Sequence, residues 1–271
     1  MKVALFDKKV FKTFGRITTW TLAIFSVFAI FVPLTEKCKW PVFAFLIIIH
    51  IMILLGVYIY CNVKKKVTIK IRKTKIIIKE GDLFTEPGKK VIAFNEYFDT
   101  QVDDIVIAKN SLNGIFIKKH IKNIQRFDAH INDYLLHNKK PNFVDSKRLG
   151  KQIRYELGTI VPYNNFFLLA YSRFDENNCA YLERDDIAKL YLKMWDEIDI
   201  LKACDSVCIP VLGSSGIVRK IDYTPQQLLE LLLWSFRISG INMTRLASIT
   251  IVVHRTMVDS IDFLKLKNFS D

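Results

Sequence analysis

Ionisable side chains are missing from two long stretches near the N-terminus of this 271-residue chain. Residues 17–35 contain no Asp, Glu, Lys, Arg or His, and residues 40–63 contain only His50. At about 1.5 Å per residue, each stretch is long enough as a helix to cross a hydrocarbon core of about 30 Å. The missing charge therefore predicts two membrane-spanning helices, at 17–35 and 40–63, joined as a transmembrane α-hairpin over 17–63.

Each stretch has an alternative interpretation. The first has the basic start and apolar centre of a cleaved signal peptide, but no small-x-small cleavage site follows it and the second stretch begins at Trp40. The second could be a buried core helix, although 24 residues is long for one. The hairpin is the favoured prediction.

Cysteine is scarce, and several sequence motifs are absent. The five cysteines form no CxxC pair and no Cys/His spacing suited to zinc. The chain also lacks the Gly-Lys-Ser/Thr ending of a Walker loop and the GxSxG elbow of serine hydrolases. These absences argue against a zinc site, a P-loop nucleotidase and a serine hydrolase, and no metal or cofactor is expected.

Basic charge is concentrated beside the two apolar stretches. Residues 1–16 carry five basic residues and one acidic residue, and residues 64–79 carry eight basic residues and no acidic one. Residues 35–39 carry two basic and one acidic, and residues 80–271 carry 25 of each sign. The positive-inside bias places the basic N-terminus and residues 64–271 in the cytoplasm, as parts of a two-span protein of the cell inner membrane. Topology and attraction to membrane lipid explain the basic excess, so no nucleic-acid partner is expected.

Beyond residue 64, strand-like and helix-like apolar patterns alternate. Strands are predicted at 67–71, 76–78, 90–94, 104–108, 166–171, 207–212 and 248–253, and helices at 121–135, 187–198 and 225–238. Thr224, Pro225 and Gln227 give the last helix an N-terminal capping signal, and Gly240 ends it. The alternation predicts one cytoplasmic α/β domain over 64–271, whose sheet is covered by helices.

Two small loops and one acidic turn carry the chemistry that the sequence suggests. The strand ending at Leu212 opens into Gly213, Ser214, Ser215, Gly216 and Ile217, and a second loop over 110–115 contains Ser111, Leu112, Gly114 and Ile115. Such loops let backbone N–H groups approach an anion, so together they could clamp a diphosphate; an ordinary tight turn is the alternative for the first. Asp82, followed by Leu83, could accept a hydrogen bond from a base, or form a common Gly-Asp turn.

These pieces resemble, in type and in order, the macro domain, an α/β fold that binds ADP-ribose. The Gly81-Asp82-Leu83 segment comes first, then Asn95 at a strand end, then the two loops. The resemblance implies a three-layer mixed sheet with helices on both faces. It also implies that Asp82 contacts adenine, that residues 111–115 and 213–218 wrap the diphosphate, and that Asn95 lies near the distal ribose. Tyr97, Phe98, Asp99 and Arg219 are candidate readers of a further group.

The chain departs from the family pattern at two places. The usual Asn-Ala-Ala-Asn stretch reads Phe94-Asn95-Glu96-Tyr97, and the triple-glycine loop keeps only Gly114. These departures favour a binder over a hydrolase, so no catalytic residue is assigned.

A macro domain behind two spans looks like the membrane effectors of type II Thoeris anti-phage systems. That likeness implies a partner TIR-domain protein that processes NAD into an ADP-ribose-type signal, histidine-ADP-ribose being favoured. The signal would drive the chain to form a homo-oligomer that disrupts the inner membrane and aborts infection. Two alternatives stay open: a membrane-tethered ADP-ribosyl hydrolase or phosphodiesterase using Asn95, Asp99 or His120, and a passive membrane anchor or scaffold.

Overall fold

The computed structural model describes most of the chain. The described residues are 8–31, 35–145, 148, 150–201, 205–214, 222–242 and 247–271. They form two compact units, the described residues up to Lys65 with Asp262–Lys265, and those of Lys66–Ile261 with Leu266–Asp271.

Two long helices make up the first unit. Helix α1 spans Lys8–Phe31 and α2 spans Glu36–Val63. Within them, Val10–Phe31 (22 residues) and Lys37–Val63 (27 residues) are long and apolar enough to cross a membrane, by length and composition. Both helices begin before the uncharged stretches do, because a helix continues through polar residues that flank an apolar run.

His50, the ionisable residue of the second stretch, lies at the contact between α1 and α2. Its Nδ1 is 2.7 Å from the carbonyl oxygen of Leu46, one turn earlier in α2. Its Nε2 is 3.3 Å from Oγ1 of Thr21 in α1. The imidazole thus links the two helices, as a polar group in an apolar bundle must find a partner.

The second unit is built on one mixed sheet. Its strands are β1 (Lys66–Ile71), β2 (Thr74–Glu80), β3 (Lys89–Asn95), β6 (Ile160–Tyr163), β7 (Phe166–Phe174), β8 (Ala180–Tyr181), β9 (Val207–Pro210) and β10 (Ser248–Val253), while β4 (Phe143–Val144) and β5 (Ile153–Arg154) form a separate pair. The order is β1-β2-β10-β9-β3-β7-β6, with β8 paired to β7. The five central strands, from β2 to β7, are mutually parallel, and β1 and β6 are antiparallel edges.

Helices cover both faces of this sheet, as predicted. They are α3 (Leu112–His120), α4 (Ile124–Asn138), α5 (Arg184–Leu201) and α6 (Pro225–Ser239). Phe116 of α3 and Phe127 of α4 pack with Phe94 of β3 on one face. On the other face Tyr191 of α5 lies beside Tyr171 of β7, and Nε1 of Trp195 in α5 donates a 2.9 Å hydrogen bond to Ser235 Oγ of α6.

The helix signals at Thr224 and Gly240 are confirmed. Thr224 and Gln227 form a reciprocal capping box, with Thr224 Oγ1 accepting from the Gln227 amide and the Gln227 side chain accepting from the Thr224 amide. Gly240 ends α6 in the left-handed conformation, at φ 79°. The capping box satisfies backbone groups that the helix start leaves unpaired, and a left-handed glycine is a common helix end.

Two of the predicted elements differ in the structure. The strand at 104–108 is wrong: the segment is irregular, because Asp103 Oδ1 accepts from the Ile105 and Val106 amides and Asp104 Oδ1 accepts from the Lys109 amide. The helix predicted from residue 121 starts at Ile124, because Asn123 caps it, while α3 ends before it at His120. Side chains that bind nearby backbone groups compete with regular structure in both cases.

Candidate functional site

A cleft lies where the parallel strands β2, β3, β7, β9 and β10 end at their carboxyl termini. It comprises two adjoining cavities of about 520 Å³ and about 350 Å³, which share Ala93, Leu112 and Gly213 in their walls. Carboxyl ends of parallel strands are where open α/β sheets bind ligands, because short loops there surround a common crevice. The volumes suit a nucleotide-sized ligand.

Asp82 and Leu83 lie at one end, in the wall of the larger cavity. Asp82 is exposed, and its Oδ1 accepts a 3.0 Å hydrogen bond from the Phe84 amide, which holds a short 3₁₀ turn over Leu83–Thr85. The Leu83 side chain is buried in the core. The sequence analysis missed Phe84, whose ring also lines this cavity and stacks on His120 at 5.1 Å.

The second loop brings the N-terminus of α3 to the middle of the cleft. Ser111 caps the helix, with Oγ accepting from the Gly114 amide at 3.0 Å and donating to the Ala108 carbonyl at 2.7 Å. Ser111 and Leu112 line the smaller cavity, and Leu112 and Ile115 line the larger one. The first turn of α3 therefore lies at the cleft, with its Gly114 amide bound by Ser111.

Gly114 has a structural role in this loop. It lines neither cavity, and a Cβ at this position would collide with the carbonyl oxygen of Ala108. The loop preceding α3 can pack against the helix only because residue 114 has no side chain.

We expect Gly114→Ala to lower the free energy of unfolding by about 1 to 3 kcal/mol, the usual cost of overpacking a close contact. The comparison is thermal unfolding of this variant and of Gly15→Ala, since a Cβ at Gly15 meets nothing within 4 Å. Equal unfolding of the two variants would contradict the assigned close approach.

The loop that follows strand β9 forms the third wall of the cleft. Gly213 follows the strand with φ 78°, a left-handed conformation that favours glycine, and lines both cavities. Ser214 lines the larger cavity, and its Oγ donates to the carbonyl of Val211. Ser215, Gly216, Ile217 and Arg219 lie outside the described residues.

Asn95 lies at the far end of the cleft, in the wall of the smaller cavity. Its side chain is committed to the protein: Oδ1 accepts from the amides of Tyr97 (3.0 Å) and Asp99 (3.3 Å), and Nδ2 donates to Asp99 Oδ2 at 2.9 Å. Asp99 in turn accepts from Arg148 at 2.6 Å. The Asn95 side chain therefore supports the cavity wall through its hydrogen bonds to the protein.

Asn113, a member of the 111–115 loop that the resemblance assigned to the diphosphate, lies in the wall of the smaller cavity. It is 6% exposed, and its buried Oδ1 accepts no hydrogen bond from any described residue. An unsatisfied buried amide is costly unless a ligand donor reaches it.

Comparison with known proteins identifies the family. The family model described as Thoeris protein ThsA, Macro domain, matches residues 76–254. Thoeris protein ThsA of Bacillus amyloliquefaciens (strain Y2) is 36% identical over 271 residues, covering 95% of this chain and 90% of that relative. This chain belongs to the Thoeris ThsA macro-domain family.

Solved structures of an Oceanobacillus iheyensis macrodomain are also similar to the chain. The macrodomain with ADP has a TM-score of 0.48 and 12% identity, covering 75% of this chain and 95% of that one. A variant of it with ADPR has a TM-score of 0.48 and 13% identity, covering 75% and 97%. The family resemblance and the fold class expected from the sequence are confirmed by the family match.

Within the macro domain, three candidate readers of a further group are buried away from the cleft. Tyr97, Phe98 and Asp99 are each 3% exposed or less, and none lines either cavity. The guanidinium of Arg148 stacks on the Tyr97 ring at 3.9 Å. These three residues follow Asn95 closely in the sequence, but they do not reach the cleft, because the chain turns into the core after β3.

Glu96 is a second buried acid of this region, beside Asp99. It is 1% exposed, Oε1 has no partner among the described residues, and Oε2 lies 3.5 Å from Arg173. Burial raises the pKa of Glu96 above its ordinary value, and the nearby Arg173 and Arg154 only partly oppose this. Since the folded protein holds this proton more tightly, its stabilising contribution is complete at acid pH and is lost as pH rises through the raised pKa.

We expect Glu96→Gln to gain stability relative to the wild-type protein as pH rises from 4 to 8. The glutamine never ionises, so it avoids the cost of a buried carboxylate. Thermal unfolding across this range measures the difference, with the exposed Glu176→Gln as the matched control. A difference independent of pH would show that Glu96 keeps one protonation state throughout.

Proposed function

We propose that the chain is a membrane-anchored receptor and effector of Thoeris anti-phage defence. Its macro domain binds an ADP-ribose-type signal, histidine-ADP-ribose being the favoured form, which a partner TIR-domain protein makes from NAD. The cleft carries this proposal, because one continuous crevice offers an adenosine end, a central anion site and a polar far end.

The larger cavity suits adenosine. Phe84 offers an aromatic ring and Asp82 an exposed carboxylate that can accept from an exocyclic amino group. Aromatic stacking and a hydrogen bond to a charged acceptor are the interactions by which proteins select a base.

The middle of the cleft suits a diphosphate. The N-terminus of α3 presents the first-turn amides of Leu112 and Asn113, and the β9 loop brings Gly213 opposite them. Helix N-termini and glycine loops attract anions through unsatisfied N–H groups. Ser111, Leu112, Ile115, Gly213 and Ser214 are the described members of the two proposed phosphate loops.

The smaller cavity suits the end of the signal distal to the diphosphate. Its lining is apolar at Ile105 and Phe174 and polar at Asn113 and Asn178. The unsatisfied Oδ1 of Asn113 can accept a hydrogen bond, and a ribose hydroxyl or an imidazole N–H can donate it.

Binding without catalysis is the favoured activity. The residues of the hydrolase alternative have structural roles: Asn95 and Asp99 hydrogen-bond each other, and His120 stacks on Phe84 at 5.1 Å and packs at a tilt against Phe166 at 5.0 Å. Burial lowers the pKa of His120, helped by Lys119 and Lys90, so the ring is neutral at pH 7. These structural commitments support a binder over a hydrolase.

Signal binding then drives homo-oligomerisation, and the hairpins of the assembled chains disrupt the inner membrane. A ligand shifts an assembly equilibrium only by its difference in affinity for the two states, and a shift from 1:99 to 99:1 needs about 5.5 kcal/mol. The basic residues that flank the spans support placing the N-terminus and the macro domain in the cytoplasm.

The test is calorimetric titration of the full chain in detergent micelles with ADP-ribose, histidine-ADP-ribose and cyclic ADP-ribose, with size analysis of each mixture. Tight binding of one compound and a shift to larger species is the expected result. Product formation would favour the hydrolase alternative, and no binding to any compound would favour the passive anchor.

A further inference from the structure

The β1–β2 hairpin presents a face lined by lysine. Its members, here termed the lysine face, are Lys66, Thr68 and Lys70 of β1 and Lys75, Ile77 and Lys79 of β2. Alternate residues of a strand share a face, and the buried pattern of β1 assigns its other three residues to the core. All three β1 members of the lysine face are exposed, and so is Lys75.

The lysines of this face stand directly opposite one another. Lys66 is in register with Lys79, and Lys70 with Lys75. Opposed residues lie about 4.5 to 5.5 Å apart, and like charges in such pairs destabilise a sheet. Lys79 is paired with Glu86 at 2.8 Å, whereas Lys66, Lys70 and Lys75 have no ion pair with any described residue.

The helices that cover this side of the sheet do not cover the lysine face. Ile77 is in register with Thr250, and Thr250 with Cys208, which packs in the core cluster under α3 and α4. Thr250 and Cys208 are buried, whereas Ile77 is half-buried and Thr68 exposed. The sheet thus ends in an open cationic patch.

Protection of the sheet edge alone does not explain this pattern. Edge strands avoid aggregation with a few charged side chains, lysine above all, whereas residues 64–79 carry eight basic residues and no acidic one. A face that concentrates one sign and opposes its own charges is suited to a polyanionic surface.

Chain connectivity identifies that surface. The second candidate span ends at Val63, and β1 begins at Lys66, so only two residues separate them. Two residues reach at most about 10 Å, which keeps β1 close to the headgroups wherever the span is inserted. This inference rests on the membrane insertion proposed above.

We propose that the lysine face docks on the anionic phospholipid headgroups of the cytoplasmic leaflet. Each lysine near such a surface contributes about 1 kcal/mol, or about fivefold in binding. Lys66, Lys70 and Lys75 together therefore favour the docked state by about 100-fold, and the contacts hold the macro domain in one orientation over the membrane.

The test reconstitutes the full chain in lipid nanodiscs of phosphatidylcholine alone or with 30% phosphatidylglycerol. Acylation of single lysines by an amine-reactive ester is then followed by mass spectrometry. We expect Lys66, Lys70, Lys75 and the turn residue Lys73 to react at least fivefold more slowly in the anionic discs, and 0.5 M salt to reduce this protection. Equal reactivity in both discs would overturn the proposal.

Variants separate the lysine face from general charge. The triple variant K66Q/K70Q/K75Q is expected to lose the protection of Lys73 in anionic discs. A matched variant removes three exposed lysines elsewhere, K122Q/K140Q/K189Q, and is expected to keep it. Equal protection in both variants, or protection of Lys73 by short RNA in neutral discs instead of by anionic lipid, would also overturn the proposal.

Two controls separate this inference from the receptor function. Resistance to alkaline carbonate extraction reports insertion, and loss of the chain in that extraction would overturn both proposals. Lysine protection without any nucleotide binding would support the lysine face and overturn only the receptor.

Discussion

Asp82→Ala is expected to weaken binding of the ADP-ribose-type signal by about 10- to 100-fold. The variant removes the exposed acceptor at the adenosine end of the cleft, and hydrogen bonds to charged groups contribute about 1.5 to 3 kcal/mol. Calorimetric titration of the full chain with histidine-ADP-ribose measures the loss.

Asp82 also caps the turn that carries Phe84, so a second variant is needed to separate the two roles. Asp82→Asn keeps an oxygen for the Phe84 amide but removes the carboxylate charge and one acceptor. We expect Asp82→Asn to unfold at the same temperature as the wild-type protein and to bind the signal more weakly than the wild-type protein does. Wild-type affinity in both variants would show that the base is read elsewhere.

Introducing two charges into the middle of α2 is expected to abolish both membrane insertion and toxicity. Ile48 and Met52 lie one turn apart, at 55% and 66% exposure, on the outward side of the α1–α2 pair. An arginine at the centre of a span costs about 2.5 to 3.5 kcal/mol, so Ile48→Arg with Met52→Arg adds about 5 to 7 kcal/mol to insertion. Membrane fractionation and cell survival during phage infection measure the outcome.

The control places the same charge at the end of the helix. Val63 is 65% exposed and is the last residue of α2, where an arginine side chain can extend to the headgroups. Val63→Arg should insert and retain toxicity. Both the double variant and this control should bind the nucleotide signal as the wild type does, because all three positions lie outside the cleft. Toxicity in the double variant would exclude membrane disruption as the mechanism.

Much of the architecture could be predicted because each signal involved neighbouring residues. The capping box of Thr224 and Gln227 needs only the four residues it spans, and the core strands such as β7 are continuous apolar runs. Prediction failed at 104–108, where Asp103 and Asp104 bind nearby amides in place of a strand partner. Apolar periodicity does not register side-chain hydrogen bonds of this kind.

The candidate site could be predicted by position more readily than by role. Gly114 was expected to let a ligand approach, yet its missing side chain makes room for the Ala108 carbonyl. Asn95 was expected near the distal ribose, yet its amide is occupied by Tyr97 and Asp99. Phe84 carried no motif, and only packing brings it to the cleft.

The sequence by itself determined the two apolar stretches, the basic flanks and the order of loops that marks the macro-domain family. These features follow from composition and from contacts within a few residues, which chain connectivity fixes. Only the tertiary structure decided which groups face the cleft, because parallel pairing brings together the ends of strands that are up to about 170 residues apart in the chain, such as β2 and β10. It also decided that Lys66 opposes Lys79 and Lys70 opposes Lys75, because strand register creates a charged surface that the linear run of lysines does not define.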